Sequence, residues 1–288
     1  MENITKKNVT VSAEDGFPLA ATVFSPAAET GRVLVFASGL GVPRYAYFKF
    51  ARYLAEEGFK VVTFDYRGIF RSQDEDFRPQ DMRMQEWGSK DLEAMFQYAL
   101  HELSAQELYF AGHSAGGQIL GLAPSSEKLK AAVFLSVTSG HWRNWSGIWK
   151  PGIFLFWYLM PLMVLGRSHF PARLIGFSTI DVPAGVTRQW SRWGRSRNYL
   201  FDHIPVKDVE RYAGLNVPLL SVSFSDDQKL GPRKGVDNIL NYFPSANITR
   251  KHYRAEEYSE SPIAHFGFFK DKFSDTLWKE VGEWILSQ

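Results

Sequence analysis

Residues 8–24 alternate between apolar and polar on both sides of Glu14-Asp15-Gly16. A period of two interrupted by a glycine turn predicts a β-hairpin at the edge of a sheet. The pattern then changes. Arg32–Ala37 (RVLVFA) is a continuous, β-branched apolar run of the kind buried on both faces, and it ends in Ser38-Gly39-Leu40-Gly41. Behind it the periodicities predict a helix over about 43–58, a strand over 60–64, a helix over 87–103, a strand over 107–111, a short helix after Gly116 and a strand over 131–136. Strands alternating with helices of this length predict βαβ units and a parallel sheet.

From about Thr138 to Pro205 this rhythm stops. The stretch holds six of the nine tryptophans: Trp142, Trp145, Trp149, Trp157, Trp190 and Trp193. It reads as an inserted cap over 138–205, leaving 1–137 and 206–288 as the core. The rhythm resumes with a strand over 218–224, a helix over 231–242, a strand over 247–253 and a last helix over 272–286.

Composition adds three restrictions. An aromatic share of 15% is high for a globular chain. A formal net charge of +2 gives only a weak overall field, which argues against nucleic acid and leaves a small molecule as the expected partner. With no cysteine there is no disulfide, no thiolate nucleophile and no Cys-ligated metal. The N-terminal residues MENITKKNVTVSAEDG carry no apolar run behind their charges, which predicts no secretory signal and a cytoplasmic location. The most apolar stretch, 152–165, is shorter than the roughly 20 residues of a membrane span and contains Pro161, so it is expected to be a lid or core element. Oligomeric state is not legible.

One motif carries chemistry. Gly112-His113-Ser114-Ala115-Gly116 follows an apolar strand directly and opens a helical segment, the strand–turn–helix setting in which a serine hydroxyl is pushed out at the top of a sheet. Glycines two residues either side are expected to remove side chains that would collide with the serine. The Ala115 N–H, at the start of a helix, would donate to an oxyanion, and Leu40 in the loop after an earlier strand offers the second N–H.

Serine needs an imidazole to take its proton and a carboxylate to orient that imidazole. In α/β hydrolases, whose strand–turn–helix presentation of serine this segment resembles, the chain order is Ser, then Asp or Glu, then His. Of seven histidines, His265 lies in the loop between the last strand and the last helix, whereas His252 falls inside a strand, His203 comes too early and His113 points the wrong way along the turn. Two aspartates, Asp226 and Asp227, stand just past the strand 218–224, and the residues alone leave both open as the acid.

With these residues in place the chain resembles the α/β-hydrolase superfamily over nearly its whole length. Phe64-Asp65-Tyr66-Arg67-Gly68-Ile69-Phe70-Arg71-Ser72, Gly112-His113-Ser114-Ala115-Gly116-Gly117-Gln118 and His265-Phe266-Gly267-Phe268-Phe269 are similar to a bacterial branch of serine aminopeptidase-like hydrolases. The resemblance implies an α/β fold with a mostly parallel eight-stranded sheet, helices on both faces and an inserted helical cap, and a Ser114, Asp227, His265 triad. It also implies a departure: the common pattern has Gly-x-Gly where this chain has Gly68-Ile69-Phe70, so that loop is expected to be shaped differently.

Two features of the cap bear on substrate. Ile153 to Leu165 offers a large apolar surface, for core packing or for an acyl-chain pocket. Arg188 to Arg197 (RQWSRWGRSR) interleaves four arginines with two tryptophans, for a solvated face or an anion or membrane-surface contact. His141 and Trp142, leaving the C-terminal end of a strand, are expected to line the pocket. The expected activity is hydrolysis of a carboxylic ester, or an amide, of a small and largely apolar substrate, without metal or organic cofactor. Acyl transfer, or another chemistry of the same fold, and a non-catalytic binding protein are the competing readings.

Overall fold

In the computed structural model, which describes residues 4–176 and 178–288, the eight predicted runs join one sheet. The strands are β1 (Thr5–Ser12), β2 (Pro18–Ser25), β3 (Arg32–Ala37), β4 (Lys60–Phe64), β5 (Glu107–His113), β6 (Leu129–Leu135), β7 (Pro218–Phe224) and β8 (Asn247–Tyr253). Their order is β1-β2-β4-β3-β5-β6-β7-β8, with β3 to β8 parallel and β2 antiparallel to both its neighbours. The hairpin turns at Gly16, whose φ of +84° lies in the left-handed region that glycine occupies without a Cβ penalty.

Continuous apolar runs form the central strands because both faces of the sheet are covered. Val33, Val35 and Ala37 of β3 point into one core, and Leu34 and Phe36 into the other. Helix α1 (Phe48–Glu56) covers the second core through Phe50, Ala51 and Leu54, together with Val281 and Ile285 near the C-terminus. Helix α2 (Glu93–His101) covers the first. It is preceded by a π-helical turn at Trp87–Leu92, which periodicity does not reveal.

Buried charge fixes the loop after β4. Arg67, only 1% exposed, binds Asp91 at 2.7 Å and Asp15 at 2.8 Å, tying the hairpin tip to this loop. Gly68 has φ +76° and Phe70 has φ +47°. A phenylalanine therefore stands at a positive φ that favours glycine, at a steric cost of about 1–2 kcal/mol.

The segment 138–205 leaves after β6, returns before β7 and adds no strand to the central sheet among the described residues. Its main elements are α4 (Trp149–Met163) and α5 (Ala184–Arg195), with Pro161 accommodated inside α4. The two helices touch at Gly194, where a Cβ would run into the Trp157 ring, and Trp157 meets Trp190 edge-on with centroids 4.5 Å apart. On α5 the interleaved sequence sorts into two faces. Trp190 and Trp193 are buried, and Arg188, Arg192 and Arg195 are exposed, as is Arg197 just beyond. No helix among the described residues is long and apolar enough to cross a membrane.

Candidate active site

The residues singled out in the sequence converge at the carboxyl ends of the parallel strands, where open α/β sheets place their sites. Ser114 follows β5 and caps α3 (Ala115–Gln118) with φ +51° and ψ −119°, a strained conformation for a residue with a side chain. The flanking glycines permit this turn. A Cβ on Gly112 would stand 2.7 Å from the Gly117 Cα, and one on Gly116 would strike the Ala37 carbonyl oxygen. Close packing of α3 on the turn and on the loop after β3 excludes larger residues at both positions.

After β7 the two aspartates divide the work. Asp227, 2% exposed, accepts a 2.6 Å hydrogen bond from His265 Nδ1 on one oxygen and a 3.0 Å bond from the Gly231 N–H on the other. Asp226 accepts from the N–H groups of Ile263 and Ala264, at 2.8 and 2.9 Å. It thereby clamps the backbone just before His265, where Ala264 sits at φ +45°. With Nδ1–H given to Asp227, the other ring nitrogen of His265 is left as the acceptor. His265 and Ser114 line one cavity and are not hydrogen-bonded to each other; such bonds commonly tighten only when substrate is present.

His113 has a different place. Its Nε2 donates to the His265 carbonyl oxygen at 2.9 Å, so in the neutral ring Nδ1 accepts from the Tyr47 hydroxyl, also at 2.9 Å. Tyr47 in turn accepts from the Gly39 N–H at 2.8 Å. This chain links the loop bearing Leu40 to the loop bearing His265. Full burial, and secondarily the neighbouring His265, hold the His113 pKa well below the ordinary histidine value. Sequence reasoning passed over Tyr47, which lies in an ordinary helical stretch with no motif to mark it.

The cavity has about 620 Å³ of empty space, its open mouth included. Leu40, Ser114 and His265 line it together with the apolar side chains of Trp145, Ile153, Phe156, Trp157 and Trp190. The Leu40 N–H donates to no other group among the described residues, and the Ala115 N–H opens a helix, where no intrahelical acceptor is in reach. Gln118, also in the lining, donates to the Thr138 carbonyl oxygen at 2.7 Å and accepts from the Tyr199 hydroxyl at 2.9 Å.

His141 and Trp142, expected to line the pocket, are not among its lining residues, which include Gly140 and Trp145. Trp142 packs on Phe154 instead, with centroids 5.0 Å apart. His252 lies within β8, bound to Ser223 at 2.8 Å.

Known proteins agree with this architecture. A family model described as the alpha/beta hydrolase fold matches residues 32–164. An esterase of Pyrococcus furiosus superposes with a TM-score of 0.66 over 99% of this chain and 91% of that one, at 15% identity. A soluble variant of monoglyceride lipase from Saccharomyces cerevisiae, in complex with a substrate analog, gives 0.66 over 100% and 95%, again at 15% identity. In sequence, a non-heme haloperoxidase-like protein of Mycobacterium phage D29 is 31% identical over 136 residues, 46% of this chain. The match spans 45% of that relative's length, less than half. The sheet order and these matches define the class by its architecture: the chain has the α/β-hydrolase fold, and the family model covers its residues 32–164.

Proposed function

We propose that this protein is a serine hydrolase that cleaves a carboxylic ester of a small, largely apolar substrate through an acyl-enzyme on Ser114. His265 takes the Ser114 proton as the hydroxyl attacks the carbonyl, and Asp227 holds the imidazolium that forms. The N–H groups of Leu40 and Ala115 receive the oxyanion. Collapse of the tetrahedral intermediate expels the alcohol, protonated by His265, and water activated by the same ring releases the acid. Segment 138–205 acts as a cap whose aromatic wall holds the acyl group.

What carries this reading is one arrangement: a serine in a strained turn and an imidazole oriented by a buried carboxylate line a common cavity with Leu40, whose N–H is uncommitted, and the free N–H of Ala115 follows the serine directly. The apolar wall selects the substrate class. The structural relatives named as esterases and a lipase act on the same type of bond.

A panel of p-nitrophenyl esters of increasing acyl length tests the assignment. Each added methylene that enters the apolar wall should raise kcat/KM by up to about fourfold until the cavity is full, after which activity falls. A flat profile would refute the apolar acyl site, and equal hydrolysis by Ser114→Ala would refute the chemistry.

A further inference from the structure

Helix α4 forms part of the cavity wall, and its two sides differ in an unusual way. The inner side is ordinary: Trp157 and Met160 are buried, and Ile153, Phe156 and Trp157 line the cavity. On a surface helix the outer side is expected to be charged or polar. Here residues 151–166 contain no charged group, and Leu155, Leu159 and Leu162 are exposed, at 54%, 50% and 59%. Ile148 and Leu165 extend the stripe at helical spacing, and Leu174 and Ile175 are exposed a few residues further on.

The rim of this stripe is cationic. Lys150 and Arg167 bracket it in sequence. Along one flank the rings of Trp142, Phe154 and Tyr158 follow one another with centroids 5.0 and 4.6 Å apart. Arg143 and Lys150 stand over Trp142 at 5.0 and 5.7 Å, and Arg195 over Tyr158 at 5.3 Å. None of Arg143, Lys150, Arg167, Arg192 and Arg195 has a carboxylate partner among the described residues. Segment 138–205 contains eight Lys and Arg against two Asp, a formal charge of +6, so the remainder of a chain of net +2 carries −4.

We propose that the outer face of α4 docks this protein on an anionic lipid surface, the leucine stripe entering the boundary between headgroups and acyl chains while the surrounding cations meet the headgroup charge. An exposed apolar helix face with amphipathic aromatics and basic residues at its edge is the physical description of an interfacial helix. A second copy of this chain would also cover the stripe. A two-fold contact, however, sets the same cationic rim against itself. An anionic surface satisfies both the apolar stripe and the charge. Resting on the ester-hydrolase reading, docking would set the cavity about one helix diameter, roughly 10 Å, from the lipid surface and let an apolar ester enter from it.

Binding can be measured apart from activity, so the two ideas fail separately. Full-length protein is floated with vesicles of phosphatidylcholine alone and of phosphatidylcholine mixed with phosphatidylglycerol. Wild type should bind the mixed vesicles at least tenfold more tightly, and added salt should weaken the binding. Leu155→Glu with Leu159→Glu should lose about a hundredfold, from about tenfold for each half-buried leucine. Arg143→Gln with Arg195→Gln should lose about 25-fold, from about fivefold per cation at an anionic surface. Both variants should keep wild-type hydrolysis of a soluble ester. The arginine pair, fully on the surface, serves if the leucine variant fails to fold. Three results would overturn the proposal: no binding to either vesicle, equal binding to both compositions, or a dimer in sedimentation that the leucine variant dissociates, which would assign the face to a second copy.

Discussion

Replacing each aspartate after β7 by asparagine separates two roles that lie one residue apart. In Asp227→Asn the amide oxygen can still accept from the Gly231 N–H at the 3.0 Å position, which turns the amide NH2 toward His265 Nδ1. Nδ1 must then accept, its proton moves to the other ring nitrogen, and the nitrogen facing the cavity can no longer take a proton from Ser114. Loss of the orienting carboxylate in such a triad costs about 10⁴-fold in kcat, equivalent to about 5.5 kcal/mol of transition-state stabilisation. The fold should change little, since one neutral hydrogen bond replaces a charged one.

Asp226→Asn behaves in the opposite way. Its two carboxylate oxygens bind the N–H groups of Ile263 and Ala264, and an amide can serve only one of them. A lost bond to a charged group and a left-over N–H cost about 2 kcal/mol, lowering Tm by about 3–4 °C in a chain of this size, while kcat falls only about tenfold through a looser His265 loop. Steady-state hydrolysis of a p-nitrophenyl ester and a thermal melt on both variants decide the matter. A rate loss at Asp226 equal to or larger than that at Asp227 would refute the reasoning.

Other consequences are as direct. Gly116→Ala presses a methyl group into the Ala37 carbonyl and so against the loop that carries Leu40; it should cost about 1–3 kcal/mol of stability and, by displacing that N–H, about 10²-fold or more in kcat. Wild-type activity retained in this variant would contradict the packing. His113 should make stability fall on acidification. Its folded pKa lies below the unfolded value near 6.5, so the unfolded chain binds the extra proton, and stability present above pH 6.5 is lost as pH drops below it. Urea unfolding between pH 7.5 and 5 should show His113→Gln flattening this dependence by up to about 1.4 kcal/mol per pH unit; an unchanged slope would show that the ring is not held neutral.

All eight strands were legible because strands buried on both faces read as unbroken apolar runs and the edge hairpin as strict alternation. Ser114 and His265 were legible because each sits at a junction of elements that the periodicity locates. The division of labour between Asp226 and Asp227 was not, since adjacent residues in a turn point in directions set by the turn and not by their spacing. For His141 and Trp142, the strand end was correctly placed, but the cavity lining includes Gly140 and Trp145 and not these two, since neighbours on a loop point in directions their spacing does not fix. Apolarity alone also misjudged α4. It marks which residues resist water, and the outer leucines, expected to pack in a core or a pocket, stand in solvent because the core behind them is already filled by Trp157, Met160 and Val164.

The most direct test of the account is to treat the protein with a fluorophosphonate and locate the adduct by mass spectrometry of its peptides. The account predicts a single stoichiometric adduct on Ser114, absent from Ser114→Ala and greatly slowed in Asp227→Asn. No adduct on the folded wild-type protein, or equal labelling of Ser114→Ala, would contradict it.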